Sequence, residues 1–321
     1  MIVDRQGRYF RNLRVSITAA CNFACTYCVP EGYRRQKAKR PLNGSQLLQA
    51  VKLLTRLNPI EKLRITGGEP LISEYFDEFV SGLAAFDFKD VSLTTNGQFL
   101  VGKAAFIASQ KIRRINVSLD TLDPVKFRAI NRGGDLDSVL NGIDAAQKHG
   151  LSVKVNAVPT RSGNLDQIVK LLDYCLQRNI ELRFIELMKM GHLLGSSEFS
   201  NEFVSMDYLL REIGNVYDFH RVETAFDSTS IRFEIPGKGF FGVIANESQP
   251  FCESCTRLRL SSSGYLHGCL SSTNKHYIAD LLEMPENEAL GILGERLTHV
   301  IADKQSTAFR GGQTIMRVVG G

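Results

Sequence analysis

The chain has 321 residues, 43% hydrophobic and 23% charged, with a formal net charge of +5. That is enough apolar material for one large α/β barrel or two ordinary domains, and the modest basic excess does not by itself indicate a nucleic-acid binder, although it suits an anionic small substrate. The opening MIVDRQGRYF lacks an apolar signal core and no run approaches the roughly 18 to 20 apolar residues of a membrane helix, so a cytoplasmic protein is expected, in which clustered cysteines are metal or redox groups rather than disulfides.

Short β-rich segments alternate with helical patterns over the first 190 residues. Strands are expected at 12–18, 61–66, 90–95, 114–120, 151–158 and 181–187, and amphipathic helices at 45–57, 138–150 and 164–178, apolar at helical spacing. Six βα units in series call for a parallel sheet, either doubly wound or a partial barrel, and the barrel is preferred. Both place the loops that follow the strands at the functional face. Beyond about residue 190 the rhythm changes to a helix near 206–213, strands at 230–235, 240–245 and 256–262, and helical material from about 277 to 302. This predicts a smaller C-terminal subdomain.

Three of the seven cysteines, Cys21, Cys25 and Cys28, lie in CNFACTYC, directly after the first strand. Thiolates favour zinc or iron-sulfur clusters, and a zinc site would recruit a fourth Cys or His nearby, yet the next histidine is His149. Three thiolates on a four-iron cluster leave one iron open for a small molecule. A second trio, Cys252 and Cys255 in FCESC and Cys269 across an expected hairpin, again supplies three thiolates, with zinc and His267 as the plainer alternative. Cys175, among Leu171, Leu172 and Leu176, reads as a packed core thiol.

Basic residues interrupt strands that a parallel sheet buries on both faces: Arg14 in LRVS, Arg64 in LRIT, Lys154 in VKVN and Arg183 in LRFI. A single one can reach solvent at a strand end. Four in separate strands suggest a common cationic lumen, which a di- or triphosphate would neutralise. Arg257 and Arg259, two apart after Cys255, project to one strand face and tie the second trio to the same anion, and Lys62 is a further candidate. GGEP, Gly67 to Pro70, follows the second strand: the glycines permit close approach to the backbone, and Glu69 can accept from an ammonium group.

The Cys21, Cys25 and Cys28 loop with Tyr27, GGEP, and NVSLD at 116–120 resemble the radical S-adenosylmethionine enzymes. The resemblance implies a [4Fe-4S] cluster on the three cysteines, its open iron chelated by the amino and carboxylate groups of S-adenosylmethionine. Over nearly the whole chain, from LRVSIT through LRITGGEPL and FCESCTRLRLSSSG to MRVVGG, the sequence is similar to the GTP 3′,8-cyclases of molybdenum cofactor biosynthesis.

That family implies a partial (β/α)6, TIM-like barrel over residues 1–190 and a smaller α+β subdomain over 191–321. The subdomain carries a second [4Fe-4S] cluster, on Cys252, Cys255 and Cys269, whose open iron meets guanine. It implies GTP contacts at Arg14, Lys62, Arg64, Thr95, Lys154, Arg183, Arg257 and Arg259, and S-adenosylmethionine contacts at Tyr27, Gly67, Gly68, Glu69, Ser118 and Met188. Arg257, Arg259, Gly320 and Gly321 are the implied catalytic positions, the terminal glycines threading into the site. The implied reaction uses a 5′-deoxyadenosyl radical to remove the ribose 3′ hydrogen of GTP, after which the ring closes onto C8 of guanine. Implied partners are GTP, a low-potential electron donor such as flavodoxin or ferredoxin, and the next enzyme of the pathway, cyclic pyranopterin monophosphate synthase. A homodimer is left open, and neither nucleic acid nor membrane is expected. Ala19-Ala20 stands where the family commonly has Asp-Arg, so a paralogue acting on another nucleotide or on a peptide, or a non-catalytic regulator, are the alternatives.

Overall fold

The computed structural model describes residues 3–33, 41–305 and 307–319. The strands are β1 (Asn12–Ser16), β2 (Lys62–Thr66), β3 (Asp90–Thr95), β4 (Ile112–Ser118), β5 (Ser152–Ala157), β6 (Glu181–Ile185), β7 (His220–Val222), β8 (Ile231–Ile235), β9 (Gly239–Ile244), β10 (Arg257–Leu260), β11 (Tyr265–His267) and β12 (His276–Tyr277). They form one sheet in the order β12-β11-β10-β1-β2-β3-β4-β5-β6-β9-β8-β7. From β10 across to β9 every pairing is parallel, and antiparallel hairpins finish both flanks.

Six βα units therefore run as expected, β1 to β6 adjacent and in chain order. The C-terminal part does not build a sheet of its own: β10 pairs with β1 and β9 with β6, so the sheet continues across residues 190/191 on both sides. Sequence periodicity shows that a segment is a strand but not which distant strand it joins.

The helices are α1 (Gly44–Leu57), α2 (Phe76–Gly82), α3 (Leu100–Ser109), α4 (Pro124–Asn131), α5 (Leu136–Lys148), α6 (Ile168–Gln177), α7 (Ser197–Glu202), α8 (Met206–Gly214), α9 (Glu286–Ala302) and α10 (Met316–Val319). Several of their starts follow from capping chemistry. Asn43 and Gln46 form a reciprocal capping box on α1, and Asp123 and Asp135 accept from the first-turn amides of α4 and α5. No helix among the described residues is long and apolar enough to cross a membrane.

Strand alternation places the core. Leu13 and Val15, Leu63 and Ile65, Leu182 and Phe184, and Leu258 and Leu260 are buried in one continuous apolar core. The residues that alternate with them point to the other face, where Arg14, Arg64, Arg183 and Arg257 line a common cavity. Basic residues inside a parallel sheet are thus tolerated because that face encloses polar space rather than packed side chains. Cys175 lies fully buried on α6, and burial pushes its thiol up, in keeping with a core role.

Candidate active site

After β1 the chain turns into the cysteine loop, whose fold is fixed by main-chain contacts. The Gly68 amide donates to Thr18 O at 2.7 Å and the Glu69 amide to Ala20 O at 2.8 Å, clamping the loop to the turn after β2. A Cβ on Gly68 would lie 2.2 Å from Ala20 O, and one on Gly67 2.6 Å from Thr18 O. The close approach that GGEP permits is therefore, first, that of the cysteine loop itself. Because the clamp uses backbone atoms of residues 18 and 20, alanines at 19 and 20 leave it intact.

The far side of the loop rests on α4. Ala24 and Thr26 amides donate to Asn131 O and Ile130 O, both at 2.9 Å, and the Cys25 thiol reaches Asn131 Oδ1 at 3.1 Å. Phe23 packs edge-on against Phe127 at 5.9 Å. Tyr27 donates to Asp120 Oδ2 at 2.8 Å, while the Val158 amide holds Oδ1 at 2.8 Å. Burial lifts the Asp120 carboxyl to about 6 against those hydrogen bonds. Burial also pushes all three thiols, Cys21, Cys25 and Cys28, above their ordinary value.

These cysteines, with Gly67, Gly68, Ser118, Met188 and Tyr27, line a cavity of about 190 Å³. Glu69 does not. Its buried carboxylate turns to the chain's own donors, the Leu71 amide at 3.0 Å, the Thr95 hydroxyl at 2.6 Å and the Asn96 amide at 2.7 Å. Thr95 consequently belongs to the cysteine side. Its neighbour Thr94, of opposite strand parity, also reaches the wall of the arginine cavity, which Thr95 does not.

The second trio lies across β10 and β11. Cys252, Cys255 and Cys269 line one end of a cavity of about 130 Å³, whose wall also holds Arg14, Arg64, Arg183, Arg257 and Arg259. Lys304, which nothing in the local sequence marks, is half-buried here: its ammonium lies 3.5 Å from Cys255 Sγ and donates to Arg257 O and Gly268 O, both at 2.8 Å. Burial would push the Cys255 thiol up, but Arg257, Lys304 and Arg259 outweigh it and hold the thiol at about 5. Burial keeps Cys252 at about 11, next to the other two thiols. His267 pairs opposite Arg259 in the hairpin, and burial together with Arg259 and Lys275 lowers it to about 4.

Among the described residues no three His, Cys, Asp or Glu side chains converge on a single-ion position. A cubane needs no such convergence, since each thiolate takes a different iron. The donor sets, three thiols lining each of two adjoining cavities, are of the kind that would hold two such clusters.

Between the trios the sheet presents a cationic ladder. Arg259, Arg14 and Arg64 are direct partners on β10, β1 and β2. They open onto a larger chamber of about 680 Å³, lined by eight basic and four acidic residues. Lys154 pairs with Glu181 at 2.8 Å, and Lys62 lies 3.7 Å from Asp227. Arg114 and Arg232 also line this chamber, engaged by Asp90 and Glu181, and were not singled out from the sequence. Arg14, Arg64 and Arg183 meet no carboxylate among the described residues. Burial, then Arg259, Arg64 and Arg257, push Arg14 well below its ordinary value; burial, then Arg183 and Arg114, lower Arg64 to about 9. Within the ladder, Arg14 and Arg64 are short of negative charge among the described residues.

The three cavities share walls. Arg14, Arg64, Arg183 and Arg257 line both the large chamber and the arginine cavity, and Thr94, Asn156, Ile185 and Met188 separate the arginine cavity from the first cysteine trio. Asn156 Oδ1 and Arg183 Nε, buried in those partitions, have no partner among the described residues. Gly320 and Gly321 lie outside the described residues.

Comparison with known proteins agrees with this arrangement. The family described as Radical SAM superfamily matches residues 15–175, and that described as Molybdenum Cofactor Synthesis C matches residues 180–309. The chain is 35% identical over 291 residues to a GTP 3′,8-cyclase of Listeria monocytogenes serotype 4b (strain CLIP80459), covering 89% of this chain and 86% of that protein. It is 34% identical over 307 residues to a GTP 3′,8-cyclase of Campylobacter fetus subsp. fetus (strain 82-40), covering 95% and 92%. Among solved structures, Streptococcus suis SuiB bound to S-adenosylmethionine superposes with a TM-score of 0.64 at 14% identity, over 85% of this chain and 64% of SuiB, a likeness of fold. The chain belongs to the radical SAM superfamily and, within it, to the GTP 3′,8-cyclase family of molybdenum cofactor synthesis.

Proposed function

We propose that the protein is a GTP 3′,8-cyclase, converting GTP to (8S)-3′,8-cyclo-7,8-dihydroguanosine 5′-triphosphate with S-adenosylmethionine and a reductant, the first step of molybdenum cofactor biosynthesis. The observation that carries it is the arginine ladder lying between two cysteine trios, a cationic cavity suited to a polyanion whose other end meets a thiolate site. When bound, a cluster on Cys21, Cys25 and Cys28 and S-adenosylmethionine supply the radical chemistry.

The chain's own residues position the reactants. Lys62, Lys154 and the chamber arginines hold the triphosphate, and Arg257 and Arg259 hold the nucleotide beside the second trio. Cys252, Cys255 and Cys269 would hold a second cluster, beside which the guanine would bind. Tyr27, Gly67, Gly68, Ser118 and Met188 shape the cosubstrate pocket, and Glu69 fixes the turn behind it. Asn156, with an unpaired carbonyl oxygen in the shared wall, is suited to a donor on either ligand. Residues 1–190 then form the radical unit and 191–321 the substrate and second-cluster unit. A cytoplasmic setting, a low-potential donor of the flavodoxin or ferredoxin type, and delivery to the next enzyme complete the proposal.

Anaerobic incubation of the reconstituted protein with S-adenosylmethionine, dithionite and GTP tests it by mass spectrometry. Equal yields of 5′-deoxyadenosine and a cyclised GTP isomer are expected. Formation of 5′-deoxyadenosine with no GTP product would show radical machinery with another substrate, and neither product from a fully loaded protein would point to a non-catalytic role.

A further inference from the structure

The chain that follows α9 passes close to both trios and leaves one cation at each. Lys304 lies 3.5 Å from Cys255 Sγ, its remaining donors held by Arg257 O and Gly268 O. Arg317, on α10, is 7% exposed and is the one cation lining the cavity of the first trio among the described residues. Its Nη2 donates to Phe23 O at 3.2 Å, inside the cysteine loop, and its Nε has no partner among the described residues. Its guanidinium carbon lies over the Tyr33 ring, 5.2 Å from the centroid. Neither residue pairs with a carboxylate among the described residues, and neither is in the arginine ladder.

A buried cation with no acidic partner is costly unless an anion arrives beside it. An iron-sulfur cluster on three thiolates is such an anion, and it gains a further negative charge on reduction. Cations and N–H donors close to its sulfurs favour the reduced state.

We propose that the C-terminal segment supplies a separate counter-charge to each cluster, Arg317 to the one on Cys21, Cys25 and Cys28 and Lys304 to the one on Cys252, Cys255 and Cys269, and so sets the two reduction potentials independently. Both are positioning residues: they touch the cluster ligands and loop, not the reacting atoms. The inference rests on the two-cluster reading, which iron and sulfide content tests separately. A preparation holding only one cluster's iron overturns that reading for the empty trio and leaves the other arm measurable.

The test is a redox titration of the reconstituted, substrate-free protein followed by electron paramagnetic resonance, the first cluster being the signal that S-adenosylmethionine perturbs. Arg317→Met is expected to move the first midpoint to lower potential and leave the second unchanged, and Lys304→Met to do the reverse. Arg317→Lys, which keeps the charge, restores most of the first shift. If a methionine variant fails to take up iron, Arg317→Gln and Lys304→Gln, which keep a donor but not the charge, replace it. Loaded variants whose midpoints do not move, or move together, overturn the proposal. So does weakened S-adenosylmethionine binding by Arg317→Met at an unchanged midpoint, which would assign that cation to the cosubstrate carboxylate.

Discussion

Arg14 and Arg259 stand side by side as direct partners in the parallel pairing of β1 and β10, with Arg64 next in line on β2. Like charges in register destabilise a sheet, and here Arg259 is buried and Arg14 and Arg64 are half-buried. The arrangement stabilises a bound polyanion at the expense of the empty fold. Arg14→Met is therefore expected to raise the unfolding midpoint of the ligand-free protein. The same change raises the GTP dissociation constant by roughly ten- to a hundredfold, the worth of one charge-assisted hydrogen bond. Calorimetry with GTP and with S-adenosylmethionine separates the cases. Equal loss of both ligands in an Arg257→Gln, Arg259→Gln double variant would contradict the assignment of the ladder to the nucleotide.

Asp227 works against the same anion. Its side chain, 5% exposed, lies 3.5 Å from Arg11 and 3.7 Å from Lys62 and accepts from Asn12 Nδ2 at 3.2 Å, so it holds cations that the chamber would otherwise offer to phosphate. Asp227→Asn keeps the shape and removes the charge. Tighter GTP binding, by about two- to fivefold, is expected in low salt, shrinking as ionic strength rises. Equilibrium dialysis at two salt concentrations reads both effects, and unchanged affinity would place the triphosphate away from Lys62.

Much of this site was legible in the sequence, because its chemistry is carried by residues that break local rules: cysteines clustered directly after a strand, and arginines at interior positions of parallel strands. What was not legible depends on parity and on pairing across distance. Thr94 and Thr95 are indistinguishable in LTTNG, and only the strand's orientation turns Thr94 to the arginine cavity and Thr95 to Glu69. Arg114 follows an exposed Arg113 in a basic run that reads equally well as a solvated strand end. Lys304 and Arg317 reach the thiols only because α9 and the segment after it fold back over the cysteine loops. The role of β9 and β10 as flanks of the barrel sheet is likewise a non-local pairing that periodicity does not carry.

Two glycines give a reciprocal test of the trios. A Cβ at Gly68 meets Ala20 O at 2.2 Å, and one at Gly268 meets Val300 O at 2.0 Å. Both obstacles are backbone atoms that cannot step aside without moving the loop or α9. Gly68→Ala is expected to displace the first cysteine loop and cut iron content to about four per chain while the second trio stays loaded. Gly268→Ala is expected to empty the second trio and spare the first. Iron and sulfide analysis with electron paramagnetic resonance distinguishes them, and loss of both clusters from either variant would show that the two sites do not fold independently.

Glu69 ties the turn after β2 to the end of β3, and burial lifts its carboxyl to about 7 in opposition to the donors from Asn96, Thr95 and Leu71. An acid that titrates higher when folded than its ordinary 4.5 keeps its proton in the native state after the unfolded chain has lost it. Between those two values the native state binds more protons, so stability falls as pH rises through that window and is level in this respect above it. Glu69→Gln removes the titration while keeping an oxygen for the donors. Urea midpoints of the cluster-free protein at pH 5 and pH 8 should therefore drop more for the wild type than for the variant. A parallel pH dependence would mean that the three donors already hold the carboxylate ionised at pH 5, in which case the cost of Glu69→Gln should instead appear in full at both pH values, as the loss of about 1.5 to 3 kcal/mol per charge-assisted hydrogen bond weakened.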